Sequence, residues 1–265
     1  MWGEMSVVVD RAIIYAEKEG FRALELDVHR PATATDLRPV VLYVHGGGWR
    51  VSSRQRTPRE TRAWTPGFFE RIVEAGFVVV ANDYRFSGEA LYPAAVDDTT
   101  DALAWVREHA EEFGGDPARV VVWGQSGGGF LAASVGLNSE PGTVRGVVCW
   151  YPLTDLASLD PDDATSFPAY FLGGPIGERL DRARAASPTS QVRPGAPPFF
   201  LQHGTADTMA PHDQSVRLRD ALVAGGCWVE LESVDGAEHF FEGCDDTAVN
   251  AIFDRTLAFL HSVTG

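Results

Sequence analysis

Lysine is almost absent from this sequence. Lys18 is the only one, so 22 − 1 = 21 of the basic residues are arginine, a bias we attribute to genome composition and not to mechanism. Acidic residues outnumber basic ones by 37 to 22, and the resulting net charge of −15 makes nucleic acid and anionic membranes poor partners. Cysteine is scarce too. Cys149, Cys227 and Cys244 cannot all pair with one another and match neither C-x-x-C nor a zinc-ligand spacing, which reads as inert buried thiols in a reducing compartment. No apolar run approaches transmembrane length. Residues Met1 to Val9 include Glu4 and no basic residue, so a secretory leader is not expected and the expected location is cytoplasmic. H-E-x-x-H, G-x-x-x-x-G-K-[ST] and G-x-G-x-x-G are all missing; no metal and no cofactor are expected.

What remains is an ordinary globular chain of 265 residues, 45% of them apolar. Apolar runs recur at Val40 to Val44, Val78 to Ala81, Val120 to Trp123, Val144 to Trp150, Pro198 to Gln202 and Val229 to Val234. Segments of helical period lie between and after them, at Pro66 to Glu74, Ala94 to Glu112, Gly127 to Leu137, His212 to Ala224 and Ala248 to Ser262. This alternation predicts a single α/β domain over 1–265, with a mostly parallel sheet and helices on both faces. Ala12 to Ala16 and Arg22 to His29 flank a Lys18-Glu19-Gly20 turn and predict an antiparallel hairpin ahead of it. The alternation breaks once. Residues 152–197 carry no strand pattern and read as a cap or lid inserted above the sheet.

Two glycine-rich turns carry the chemistry. Gly124-Gln125-Ser126-Gly127-Gly128 stands between an apolar strand and a helical segment, the context of a nucleophile elbow. His45-Gly46-Gly47-Gly48-Trp49 follows another buried strand. The amides of Gly47, Gly48 and Gly127 are therefore candidate donors to the oxyanion formed when an ester carbonyl is attacked. A serine hydroxyl needs a base and an orienting acid. The chain order Ser, Asp, His selects His239 as base and Asp207, on a loop after a strand, as acid; Asp235 is the rival carboxylate. Trp49, Phe130, Phe171 and Phe240 are candidate substrate contacts.

With these motifs in place, the chain resembles α/β-hydrolase carboxylesterases of the hormone-sensitive-lipase and acetyl-esterase group, and especially small bacterial feruloyl-esterase-like members. Further matching motifs are D-Y-R-F-S-G-E-A at Asp83 to Ala90, Y-P-A-A at Tyr92 to Ala95, and G-G-D-P-A-R-V at Gly114 to Val120. To these add R-A-A-S-P at Arg184 to Pro188, H-G-T-A-D-T-M-A-P at His203 to Pro211, Gln214-Ser215, and G-A-E-H at Gly236 to His239. The resemblance implies an eight-stranded α/β-hydrolase fold and a serine carboxylesterase acting on small to medium esters through an acyl-enzyme. It implies the triad Ser126, Asp207 and His239, the oxyanion amides of Gly47, Gly48 and Gly127, a small-molecule partner, and a monomer or homodimer. A second reading keeps the nucleophile in an arylformamidase, a lactonase, or an acyl-transferring or cyclising enzyme; a hydrolase-fold binding protein is a third. Three departures stand out. Gln125 replaces an acid, Gly127 an alanine, and Phe130 a polar residue, the last implying a drier floor beneath the site.

Overall fold

The computed structural model describes residues 6–33 and 36–265. Met1 to Met5, which entered the reading of the N-terminus, lie outside them.

Eight strands form one sheet: β1 (Val7–Ala16), β2 (Leu24–Pro31), β3 (Arg38–Val44), β4 (Val78–Asn82), β5 (Gly115–Gln125), β6 (Gly146–Trp150), β7 (Phe199–Gly204) and β8 (Val229–Val234). Their order is β1-β2-β4-β3-β5-β6-β7-β8. β2 runs antiparallel to both β1 and β4, and every other neighbouring pair is parallel. The helices are α1 (Phe68–Glu74), α2 (Ala94–His109), α3 (Gly127–Asn138), α4 (Phe167–Leu172), α5 (Leu180–Ala186), α6 (Asp213–Ala224) and α7 (Asp246–Thr264).

Side chains alternate across a strand, and here both faces are covered. Val40, Leu42 and Val44 of β3 join Val120 and Val122 of β5 in a core completed by α2, α3 and α6. Val41 and Tyr43 join Val121 and Trp123 in a second core, built on the other face with α1 and α7. This double burial is why the parallel strands read as continuous apolar runs.

The winding reverses between β3 and β5. From β3 the chain goes outward to β4, and from β5 it goes the other way, to β6. In open α/β sheets such a reversal leaves a crevice at the strands' carboxyl ends. The glycine turns at 45–49 and 124–128 are the loops that leave those two ends.

Several boundaries differ from expectation by one to three residues, and two strand starts by five. β1 begins at Val7, because Asp10 and Arg11 interrupt its apolar pattern without ending its pairing with β2. β5 begins at Gly115, where Gly115 and Asp116 already pair with Arg38 and Pro39. The segment 152–197 carries no strand and holds α4 and α5. Cys149 is buried as expected, but Cys227 and Cys244 are only half-buried; all three thiols are free. Among the described residues, no helix is long and apolar enough to cross a membrane.

Candidate active site

Ser126 sits at the turn from β5 into α3 with φ 51 and ψ −122, outside the comfortable regions for an L-residue. Such strain costs roughly 1–3 kcal/mol, and the surroundings must enforce it. Its N–H donates to the Trp150 carbonyl of β6 at 2.8 Å, and its own carbonyl accepts from Phe130 N at 3.1 Å. The flanking glycines are sterically required. A Cβ on Gly124 would lie 2.0 Å from the Gly128 carbonyl oxygen, and one on Gly128 would lie 2.1 Å from that of Val44.

His239 lies on the loop after β8. Its Nε2 is 3.1 Å from Ser126 Oγ and its Nδ1 is 2.7 Å from Asp207 Oδ2. A carboxylate only accepts, so Nδ1 carries the proton and Nε2 is left to accept the serine hydroxyl's. Asp207 lies on the loop after β7, and its Oδ1 accepts from the amides of Met209 at 2.9 Å and Ala210 at 2.8 Å. Burial opposes its charge, but hydrogen bonds from His203 and His239 outweigh that cost and hold the carboxyl well below its usual range. The rival carboxylate, Asp235, accepts instead from Thr205 Oγ1.

The loop after β3 faces this hydroxyl. Gly47 and Gly48 adopt φ +109 and +59, and a Cβ on Gly47 would lie 2.1 Å from the Val51 carbonyl oxygen. The Trp49 indole N–H donates to the Gly127 carbonyl at 2.9 Å, clamping one glycine turn to the other. Gly48 N lies 3.3 Å from where a Cβ on Gly127 would stand. Among the described residues, the amides of Gly47, Gly48 and Gly127 donate to no protein acceptor. The arrangement is thus equipped to take a proton from Ser126 and to stabilise a negative oxygen beside it.

A cavity of about 640 Å³ opens onto Ser126, Gly47 and Gly127, with Trp49 and Phe240 in its wall and Leu153, Leu159 and Phe167 from segment 152–197 above. Phe130 and Phe171, expected as substrate contacts, do not line it. Both are buried behind Trp49, with Phe171 stacked on the indole at 4.3 Å and Phe130 edge-on at 5.1 Å. They set the indole's position and leave Phe167 and Met209 to face the cavity.

Sequence reasoning missed His203. Its Nε2–H points at Asp207 Oδ2, 3.1 Å away, and at the Ala210 carbonyl, 2.7 Å away, while Nδ1 meets Ser215 Oγ at 2.7 Å. The i, i+4 spacing of His203 and Asp207 on one post-strand segment was the available signal. Tyr151 was missed as well. Its ring packs edge-on against His239, with centroids 4.7 Å apart.

The BD-FAE family model matches residues 26–222 of this sequence. The chain belongs to the BD-FAE family. Carboxylesterase NlhH of Mycobacterium tuberculosis is 33% identical to this BD-FAE protein, covering 81% of it and 70% of NlhH. The thermophilic esterase Est2 of Thermogutta terrifontis is 26% identical with a TM-score of 0.74, over 98% of this chain and 93% of its own. Est2 has also been solved with propionate bound. A truncated carbohydrate esterase from gut microbiota has a TM-score of 0.84 at 24% identity, over 100% of this chain and 98% of that one, a likeness of fold alone. This BD-FAE protein is a serine ester hydrolase with the α/β-hydrolase fold.

Proposed function

We propose that the protein is a carboxylesterase acting on small to medium esters, with Ser126 as nucleophile, His239 as general base and Asp207 as the acid that orients it. The observation that carries this reading is the unbroken hydrogen-bond chain Ser126–His239–Asp207 beside three unpaired glycine amides. Ser126 Oγ attacks the ester carbonyl as its proton passes to His239 Nε2. The carbonyl oxygen, now negative, takes hydrogen bonds from Gly47, Gly48 and Gly127, each such donor being worth roughly 3–4 kcal/mol in the transition state. His239 then protonates the departing alcohol, and water repeats the sequence on the acyl-enzyme. Asp207, held ionised, fixes the tautomer and stabilises the imidazolium throughout.

A volume of about 640 Å³ and a wall of Trp49, Leu153, Leu159, Phe167 and Met209 suit an acyl group of short to moderate length. The propionate bound to Est2 fits that range. Segment 152–197 serves as the cap, and the free thiols suit a reducing, cytoplasmic setting. The test is turnover of p-nitrophenyl acetate and butyrate, with methyl ferulate and N-formylkynurenine alongside, by the wild type and by Ser126→Ala. We expect steady turnover, lowered by about 10³-fold or more in the variant. A single burst of p-nitrophenol without turnover would point instead to acyl transfer, and full activity in Ser126→Ala would end the assignment.

A further inference from the structure

A second cavity, of about 580 Å³, lies on the other side of the Gly47 turn and reaches down to Gly46 and Gln125. It shares Gly47, Val51 and Phe240 with the cavity that exposes Ser126. Ser126 lines the first cavity and Gln125, beside it in the chain, lines the second, so an ester held at Ser126 would extend one half towards each.

The two halves meet opposite fields. Beneath segment 152–197 the wall is apolar with Asp160 and Asp163 at its side, and it repels anions. The second cavity is lined by Arg56, Arg59 and Arg62, a concentration of positive charge in a chain whose net charge is −15. Arg59 pairs with Glu242 at the surface. Glu60, between Arg59 and Arg62 in the chain, is turned onto the Tyr151 hydroxyl, 2.8 Å away, and Arg62 also faces a third cavity with Glu70 in its wall. Among the described residues, Arg56 and Arg62 make no side-chain hydrogen bond and no salt bridge. A guanidinium presents its N–H groups in a planar fork that matches a carboxylate. Two such forks are open here, in a cavity that reaches Gln125, the residue before the reacting serine.

We propose that this arginine-lined cavity binds a carboxylate carried by the substrate, so that the enzyme prefers anionic esters whose uncharged half lies beneath segment 152–197. This rests on the esterase reading above and adds a substrate class to it. The arginines are exposed to solvent, so their attraction is screened by salt.

The test compares kcat/KM within pairs of esters that differ in charge. Mono-p-nitrophenyl adipate against p-nitrophenyl heptanoate places the carboxylate on the acyl side, and 3-acetoxybenzoate against 3-acetoxybenzamide places it on the alcohol side. At low ionic strength we expect the anionic member of one pair to lead by about tenfold, and the pair that responds identifies the half held by the arginines. That ratio should shrink towards one in 0.5 M NaCl with the wild type, and in Arg56→Gln/Arg62→Gln at low salt. Ratios taken within each preparation cancel any general loss of activity, and the salt series needs no variant. Ratios of one or less in both wild-type pairs, or a lead that survives high salt, would overturn the proposal while leaving the esterase reading intact. Failure to hydrolyse any of the four esters, charged or neutral, would instead overturn the esterase reading.

Discussion

A phenol carries one proton, and Tyr151 Oη stands between two acceptors, Glu60 Oε1 at 2.8 Å and Gln125 Oε1 at 2.6 Å. The hydrogen bonds balance when Glu60 is protonated: its O–H donates to Tyr151, Tyr151 donates to Gln125, and Gln125 Nε2–H donates to Tyr43 Oη at 2.9 Å. Glu60 as a residue is half-buried, but its Oε2 is sealed from solvent with no partner. Burial pushes this carboxyl up to about 7. A raised carboxyl binds its proton more tightly folded than unfolded, so its contribution to stability is complete below the unfolded value and is lost as pH climbs through about 7. Glu60→Gln keeps a donor to Tyr151 and removes the titration. We expect the variant to gain about 1–3 kcal/mol over the wild type at pH 8 and little at pH 5, read from urea midpoints. An equal change at both pH values would show that Glu60 does not hold a proton. None of this was readable in the sequence, where Glu60 and Tyr151 are 91 positions apart. The catalytic candidates differed in that respect, because nucleophile chemistry demands glycines beside Ser126 and a fixed chain order for its partners.

At the scale of elements, the β5–α3 turn is a sterically demanding join, with no room for a Cβ at Gly124 or Gly128. Gly128→Ala would place a methyl group 2.1 Å from the Val44 carbonyl oxygen, backbone against backbone, in the strand that carries the Gly47 turn. We expect a loss of at least about 1–3 kcal/mol in a denaturant titration, and a fall in kcat as Ser126 moves away from Gly47 and Gly48. Gly88→Ala, which meets nothing within 4 Å, is the matched control and should change neither. Wild-type stability in the Gly128 variant would mean that the two turns are not in contact as described. The strands of this join were legible because both faces of the sheet are buried, so β3 and β5 show apolar runs. The cap was not. α4 is only six residues long, too short to show a helical period, and both Phe167 and Phe171 lie on it. Only the fold reveals that Phe167 roofs the cavity while Phe171 stacks behind Trp49.

Across the whole molecule, a surplus of acid is tolerable where arginine is placed between carboxylates. Arg54, from the loop beyond Trp49, reaches Glu25 and Asp27 of β2, each at 2.8 Å, and also Asp83 after β4. It joins the antiparallel edge of the sheet to the segment bearing the Gly47 turn. The Asp27 side chain is fully buried, and although burial opposes its charge, the hydrogen bond from Arg54 and that from Ala12 N hold its carboxyl below the usual range. Asp207 is depressed in the same way. A depressed carboxyl contributes stability above its unfolded value, near 3.9, and loses it as pH falls through the folded value, so both groups steepen acid unfolding below about pH 4. Glu60 acts with the opposite sign and at higher pH. Arg54→Met tests the cluster directly, because it leaves Asp27 buried with only the Ala12 amide and the exposed Arg11 as partners. Removing one partner of a buried pair costs about 3–5 kcal/mol, and we expect a loss of that order at pH 7. The stranded Asp27 should then take up a proton in the folded state. The variant's stability should therefore fall less steeply than the wild type's between pH 5 and pH 3, measured by denaturant titration across that range. Parallel acid limbs in the two proteins would show that acid acts elsewhere and that Arg54 does not hold this edge of the sheet through Asp27.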